Sequence, residues 1–85
     1  MSYTIKLTDN ALKHYKKIKN PIHANIKSKI DILAENGLSL SNIKALTGEF
    51  KGLYRLRSGD YRIVFDIQEN EITIIAILHR KDVYK

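Results

Sequence analysis

Arg55, Arg57, Arg62 and Arg80 are the only arginines in the chain; its other eleven basic residues are lysines spread along its length. Three of the four fall in one predicted hairpin, Leu53-Tyr54-Arg55-Leu56-Arg57-Ser58-Gly59-Asp60-Tyr61-Arg62-Ile63-Val64-Phe65. Arginines clustered against a lysine background mark a place where planar, permanently charged donors are needed, and the usual reason is phosphate. His79 and Tyr84 flank Arg80 and add a titratable imidazole and a phenol. These groups suit cleavage of a phosphodiester by an internal 2′-hydroxyl. The attacking hydroxyl needs a base, the phosphorane oxygens need cations, and the leaving 5′ oxygen needs a proton. A tyrosine can also stack on a base or orient the hydroxyl.

A second reading of the same residues is structural. Like charges on adjacent strands repel, and Asp60, Asp66 or Glu49 could neutralise the arginines locally. His14 and His23 read as surface or internally satisfied histidines. The acids are scattered with no metal-ligand spacing, and there is no Ser-His-Asp pattern. Gly48, Gly52 and Gly59 stand in turn or strand contexts rather than in a phosphate loop. An RNA-cleaving activity here is therefore expected to use neither a metal nor a cofactor.

These residues need a scaffold. Tyr3, Ile5 and Leu7 alternate with polar residues as in a short strand. Thr8 or Asp9 then caps a helix carrying Ala11, Leu12, Tyr15 and Ile18 at helical spacing. Asn20-Pro21 interrupts the chain and starts a second helix with one apolar stripe, Ile22, Ile26, Ile30 and Leu33, which Asn36-Gly37 closes. Residues 38–48 read as an anchored connection with room for one helical turn. Three strands follow, roughly 52–58, 61–68 and 71–78, joined by the turn pairs Gly59-Asp60 and Glu69-Asn70.

Register decides which side chains share a face. With Gly59-Asp60 as the turn, Arg57 faces Arg62, Leu56 faces Ile63, Arg55 faces Val64 and Tyr54 faces Phe65. Tyr54, Leu56, Ile63, Phe65, Ile67, Ile72, Ile74, Ala76 and Leu78 are expected on the side that buries the helices. Arg55, Arg57 and Arg62 are expected on the other, with Val64, Ile75, Ile77 and, by the second turn, His79. A slip of one residue would put arginines in the core. The apolar members of the outer face need a cover, from a partner chain or from the first strand or the C-terminal tail.

Eighty-five residues with a 44% hydrophobic fraction make one small α+β domain, residues 1–85. It has the first strand and an αα-hairpin packed on one face of a mainly antiparallel sheet of about four strands. A net charge of +6 favours a polyanionic partner such as nucleic acid or an acidic protein. No apolar run reaches the roughly 20 residues of a membrane span, and the N-terminus has no secretory pattern. The chain has no cysteine, hence no disulfide framework and no zinc knuckle. The expected setting is the cytoplasm.

Three segments carry a resemblance to a known family. They are Leu46-Thr47-Gly48-Glu49-Phe50-Lys51-Gly52-Leu53-Tyr54-Arg55-Leu56-Arg57, then Gly59-Asp60-Tyr61-Arg62-Ile63-Val64-Phe65, and the ending His79-Arg80-Lys81-Asp82-Val83-Tyr84. With the strand–helix–helix–three-strand order, they resemble the RelE/ParE superfamily of toxin–antitoxin toxins over nearly the whole chain. The resemblance implies a RelE-like toxin, a ribosome-dependent endoribonuclease that cuts mRNA in the A site. By motif position it implies catalytic roles for Arg55, Arg62, His79, Arg80 and Tyr84, and RNA or phosphate binding by Arg57, Lys51 and Lys81. The strand position often occupied by lysine in the family is Leu53 here. Arginine stays protonated, so the base is either His79, whose imidazole type is poised near neutral pH, or no residue at all, with positioning and charge sufficing. The implied partners are a cognate acidic antitoxin, the ribosome and mRNA, with operator DNA reached only through the antitoxin. The ParE branch, which poisons DNA gyrase, and an inactive co-repressor module are the alternatives.

Overall fold

The computed structural model describes residues 2–40 and 42–83. A five-stranded sheet runs in the order β1-β5-β4-β3-β2. The strands are β1 (Thr4–Leu7), β2 (Ile43–Ala45), β3 (Tyr54–Ser58), β4 (Tyr61–Gln68) and β5 (Glu71–His79). Among the described residues, only the β1–β5 pairing is parallel. Helices α1 (Asp9–Lys17) and α2 (Ile22–Asn36) lie on one face, and a short α3 (Arg80–Val83) follows β5. The fold class is α+β, as expected, with one strand more than the sequence suggests. The extra strand is β2, three residues set among Ser, Asn and Thr and held only by antiparallel pairing to β3.

The helices begin and end for local reasons. Thr8 caps α1 by accepting the Ala11 N–H on its hydroxyl at 3.1 Å. The second helix ends at Gly37, whose positive φ of 55° few side chains tolerate. His23 fixes the turn between the helices, its Nδ1–H donating to the carbonyls of Tyr15 (3.1 Å) and Ile18 (3.0 Å). Its ring also packs on Tyr15, with centroids 4.1 Å apart. Ala11, Ile26, Ile30 and Leu33 bury against Leu56, Ile63, Phe65, Ile72, Ile74 and Ile77 to make the core. Leu12 and Ile22, placed by their spacing on the apolar stripes, are instead exposed, at 39% and 44%.

The β3–β4 register is the expected one at every pair from Tyr54↔Phe65 to Ser58↔Tyr61. The β4–β5 register begins as expected from the second turn and then changes. Phe65 pairs with Ile74 but Val64 pairs with Ala76, so Ile75 is an extra residue in β5, a β-bulge. Beyond it the faces are exchanged. Ile77 enters the core at 3% exposure, while Ala76 and Leu78 turn to the arginine face. The run from Ile72 to Leu78 is apolar on both sides of the strand, so alternation could not fix its register. The bulge gives the core an isoleucine where straight pairing would give it an alanine. Thr8 secures the bulge, its hydroxyl donating to the Ile75 carbonyl (2.9 Å) and its N–H to the Ile74 carbonyl (3.0 Å).

Candidate active site

Arg57 and Arg62 face each other across β3 and β4 on the side of the sheet away from the helices. Arg80 joins them at the end of β5. The Arg80 backbone N–H donates to the Asp60 carbonyl at 2.7 Å, which ties the start of α3 to the β3–β4 turn. Gly59 makes that turn at a φ of 59°, as the first position of a two-residue hairpin loop requires. The Arg57 Nε donates back to the Gly59 carbonyl at 3.1 Å, which sets the direction of the side chain. Arg57, Gly59, Asp60, Arg62 and Arg80 thus line one hollow of about 140 Å³.

Asp60 offsets the charge of Arg80 only weakly. It approaches Arg80 only at 3.8 Å, with both side chains about 60% exposed, and an ion pair of that kind contributes little. Asp66 engages Gln68, which donates to it at 3.4 Å. The side chain of Glu49 lies outside the described residues. Three arginines lining one open hollow can hold a phosphate and stabilise charge growing on it.

Arg62 also belongs to a second hollow on the same face, with Arg55, Leu46, Phe50, Leu53, Val64, Ile75, Ala76 and Leu78. The connection leading into β3 therefore supplies Leu46, Phe50 and Leu53 as the partial cover that Val64 and its neighbours need. The first strand does not, because β1 lies at the sheet edge beside β5. Phe50 itself is 53% exposed. The Arg55 Nε is buried with no hydrogen-bond partner among the described residues. A buried donor left unpaired costs about 1–3 kcal/mol, so an acceptor brought by a ligand or partner would bind there at an advantage.

His79 does not join the arginines. The bulge places it opposite Tyr61, on the other face from Arg62, which pairs with Leu78 instead. Its ring meets Tyr61 edge to face at 5.0 Å, and its Nδ1 accepts the Lys81 N–H at 3.2 Å. Contrary to the expected register, then, neither His79 nor Ile77 lies on the face that carries Arg57 and Arg62. Lys51 and Lys81 are exposed and line neither arginine hollow. Tyr84 lies outside the described residues. Sequence reasoning missed Lys44, which pairs with Arg55 on the outer face. Only recognition of the three-residue β2 would have found it. Among the described residues no cluster of His, Cys, Asp or Glu could hold a metal ion, and no helix is long and apolar enough to cross a membrane.

The family model for the ParE toxin of type II toxin–antitoxin systems matches residues 5–84. The chain belongs to the RelE/ParE family of type II toxins. It is 32% identical over 69 residues to Toxin RelE3 of Methanocaldococcus jannaschii, covering 74% of this chain and 78% of that one. Its fold matches a chain of the RelBE2 toxin–antitoxin complex of Mycobacterium tuberculosis with a TM-score of 0.81 and 25% identity, over 94% of this chain and all of the other. It also matches a chain of the RelB–RelE antitoxin–toxin complex of Methanococcus jannaschii with a TM-score of 0.76 and 30% identity, over 93% and 94% of the two chains. In this RelE/ParE toxin, then, the arginine hollow is formed by the Gly59-Asp60 turn and the start of α3, two of the segments that carry the family resemblance.

Proposed function

We propose that this toxin is a ribosome-dependent endoribonuclease that cuts mRNA in the A site with no metal or cofactor. The observation that carries the reading is that Arg57, Arg62 and Arg80 line one open hollow beside the Gly59-Asp60 turn. In the proposed reaction the 2′-hydroxyl oxygen attacks phosphorus as the bond to the 5′ oxygen breaks. The products are a 2′,3′-cyclic phosphate and a 5′-hydroxyl end. Arg62 and Arg80 stabilise the charge on the phosphorane oxygens, Arg57 holds the neighbouring phosphate, and Arg55 supports Arg62 from the adjoining hollow. Tyr84 orients the 2′-hydroxyl. With His79 on the other face, the 2′-hydroxyl proton passes to water and the leaving oxygen takes one from water. The rate then comes from positioning and charge. Lys51, Lys81 and Lys44 add attraction for the RNA backbone.

The toxin's proposed partners are the ribosome with its mRNA and an acidic antitoxin, through which alone operator DNA is reached, all in the cytoplasm. Two solved relatives are held in complex with a RelB antitoxin, which supports the antitoxin part. The test is induced expression without a partner protein. Primer extension on a translated message is expected to show new ends within codons. Intact messages accompanied by double-strand DNA breaks would replace this reading with gyrase poisoning.

A further inference from the structure

Beside the arginine hollow, across the Gly59-Asp60 turn, lies a larger one of about 310 Å³. Ile22 and Asn25 of α2 line one side of it, and Ser58, Tyr61 and His79 of the sheet line the other. Both hollows include Gly59 and Asp60, so they meet at the turn. We propose that the larger hollow is a nucleobase subsite, which seats the base next to the cleaved phosphate and thereby sets which codons are cut. The inference rests on the endoribonuclease reading and adds to it the residues that choose the substrate.

Three observations support a base over packing space. The helix approaches the sheet here without closing on it: Ile22 heads the apolar stripe of α2 yet stays 44% exposed, while Ile26, Ile30 and Leu33 further along are buried. The lining has the composition that unstacked RNA bases select, two aromatic rings with an apolar side chain and a few polar edges. Tyr61 and His79 supply the rings, at right angles. The polar groups can read a base edge. The Lys81 N–H occupies the His79 Nδ1, which orients the imidazole and leaves the proton on Nε2 as a donor. Asn25 is exposed on the helix and offers an amide donor and acceptor together. Ser58, only 6% exposed, also lines the hollow and carries a hydroxyl.

Because the two hollows share Gly59 and Asp60, an RNA strand with a phosphate in the arginine hollow and its chain directed over that turn would bring its next base to the larger hollow. His79, displaced from the arginine face by the bulge, acquires a use there. It contacts the base and takes no part in the proton transfer.

Two measurements test this separately from the cleavage reading. In the first, the isolated toxin is titrated with the four nucleoside 3′,5′-bisphosphates and with ribose 5-phosphate, followed by NMR. The bisphosphates are expected to shift the Asn25 side-chain amide and the Ile22 methyl signals, to different extents for the four bases. Ribose 5-phosphate should shift only the arginine hollow. Equal shifts from all five probes, or none at Ile22 and Asn25, overturn the subsite while leaving the phosphate site standing. In the second, single-turnover cleavage is measured on ribosomes carrying a full set of A-site codons. Asn25→Ala is expected to compress the spread of rates at one codon position by about tenfold, the worth of one good hydrogen bond. Ile22→Asp should compress it as well. An unchanged codon profile in both variants overturns the inference. A wild-type toxin that cuts no ribosome-bound message, yet binds the bisphosphates as described, overturns the endoribonuclease reading and the codon-choosing role but keeps the base site.

Discussion

The imidazole Nδ1 of His14, on α1, accepts a hydrogen bond from the backbone N–H of Ile77, on β5, at 3.3 Å and a sequence distance of 63 residues. Ile77 lies just past the bulge and past the end of β1, so no strand remains to take its N–H. His14 continues the ladder by a side chain and helps to keep β5 in the register that buries Ile77 and turns Leu78 outward. Replacement by alanine leaves that N–H without its acceptor, at a cost of about 1–3 kcal/mol. His14→Asn, whose amide oxygen can occupy the same place, is expected to recover part of the loss. Urea denaturation of the two variants checks this; equal midpoints for wild type and His14→Ala would show that the bond is dispensable.

Gly37 is a second fixed point. A methyl group placed there would lie 2.6 Å from Cε1 of Tyr3, and the residue's φ of 55° is itself unfavourable for alanine. Tyr3 is also bound through its N–H to the Ala34 carbonyl at 2.6 Å, so its backbone is held and the contact is relieved only by turning the ring. Gly37→Ala is therefore expected to destabilise the fold by about 1–3 kcal/mol. Adding Tyr3→Ala should remove the steric part but not the backbone part, which thermal melts of the single and double variants would separate.

Much of this architecture is legible in the chain. The hairpin register followed from one turn dipeptide and from the rule that arginines stay out of the core, and it holds at every β3–β4 pair. The helices followed from a capping threonine, a proline and a terminal glycine. Two features were not legible, each for a physical reason. The strand β2 is too short to show alternation and exists through its partner. The bulge falls where both faces of β5 are apolar, so either register satisfied the local pattern and tertiary packing decided. That one inserted residue moved His79 and Ile77 across the sheet while leaving Arg57, Arg62 and Arg80 together.

Arg62→Ala and Arg80→Ala are each expected to abolish toxicity while the fold persists. Each removes a cation from the hollow where charge is proposed to develop, worth on the order of 2–4 kcal/mol in the cleavage step, or roughly 30- to 1,000-fold in rate. Arg57→Ala should weaken activity less, since its Nε is already engaged by the Gly59 carbonyl. Growth on induction, with circular dichroism of the purified variants, is the measurement. Folded Arg62 and Arg80 variants that stay fully toxic would make the cluster structural.

The groove that runs from Arg55 and Arg62 to Leu46, Phe50 and Leu78 asks for a partner segment that is apolar at some steps and acidic at others. The buried Arg55 Nε makes a carboxylate or carbonyl at its head especially favourable. A small acidic protein encoded next to the toxin is expected to co-elute with it at low salt and to suppress toxicity. Phe50→Glu, at a site 53% exposed, should weaken that complex without unfolding the toxin. Separate elution of the two wild-type proteins would end the idea.

The last expectation concerns His79. A general base leaves its own titration in the rate of the step it assists. His79 shares a face with Tyr61 rather than with Arg62, and its Nδ1 is already occupied by the Lys81 N–H. The proton of a 2′-hydroxyl held at the arginines is therefore not its concern. His79→Ala should lower the single-turnover rate through weaker RNA placement but leave the shape of the pH–rate profile as in the wild type. His79→Gln, which can present a side-chain N–H, should recover more of the rate than alanine does. Loss of an inflection in both variants, with rates reduced equally across the alkaline range, would restore the imidazole to the proton transfer. The bulge would then have to open during the reaction to bring it across the sheet.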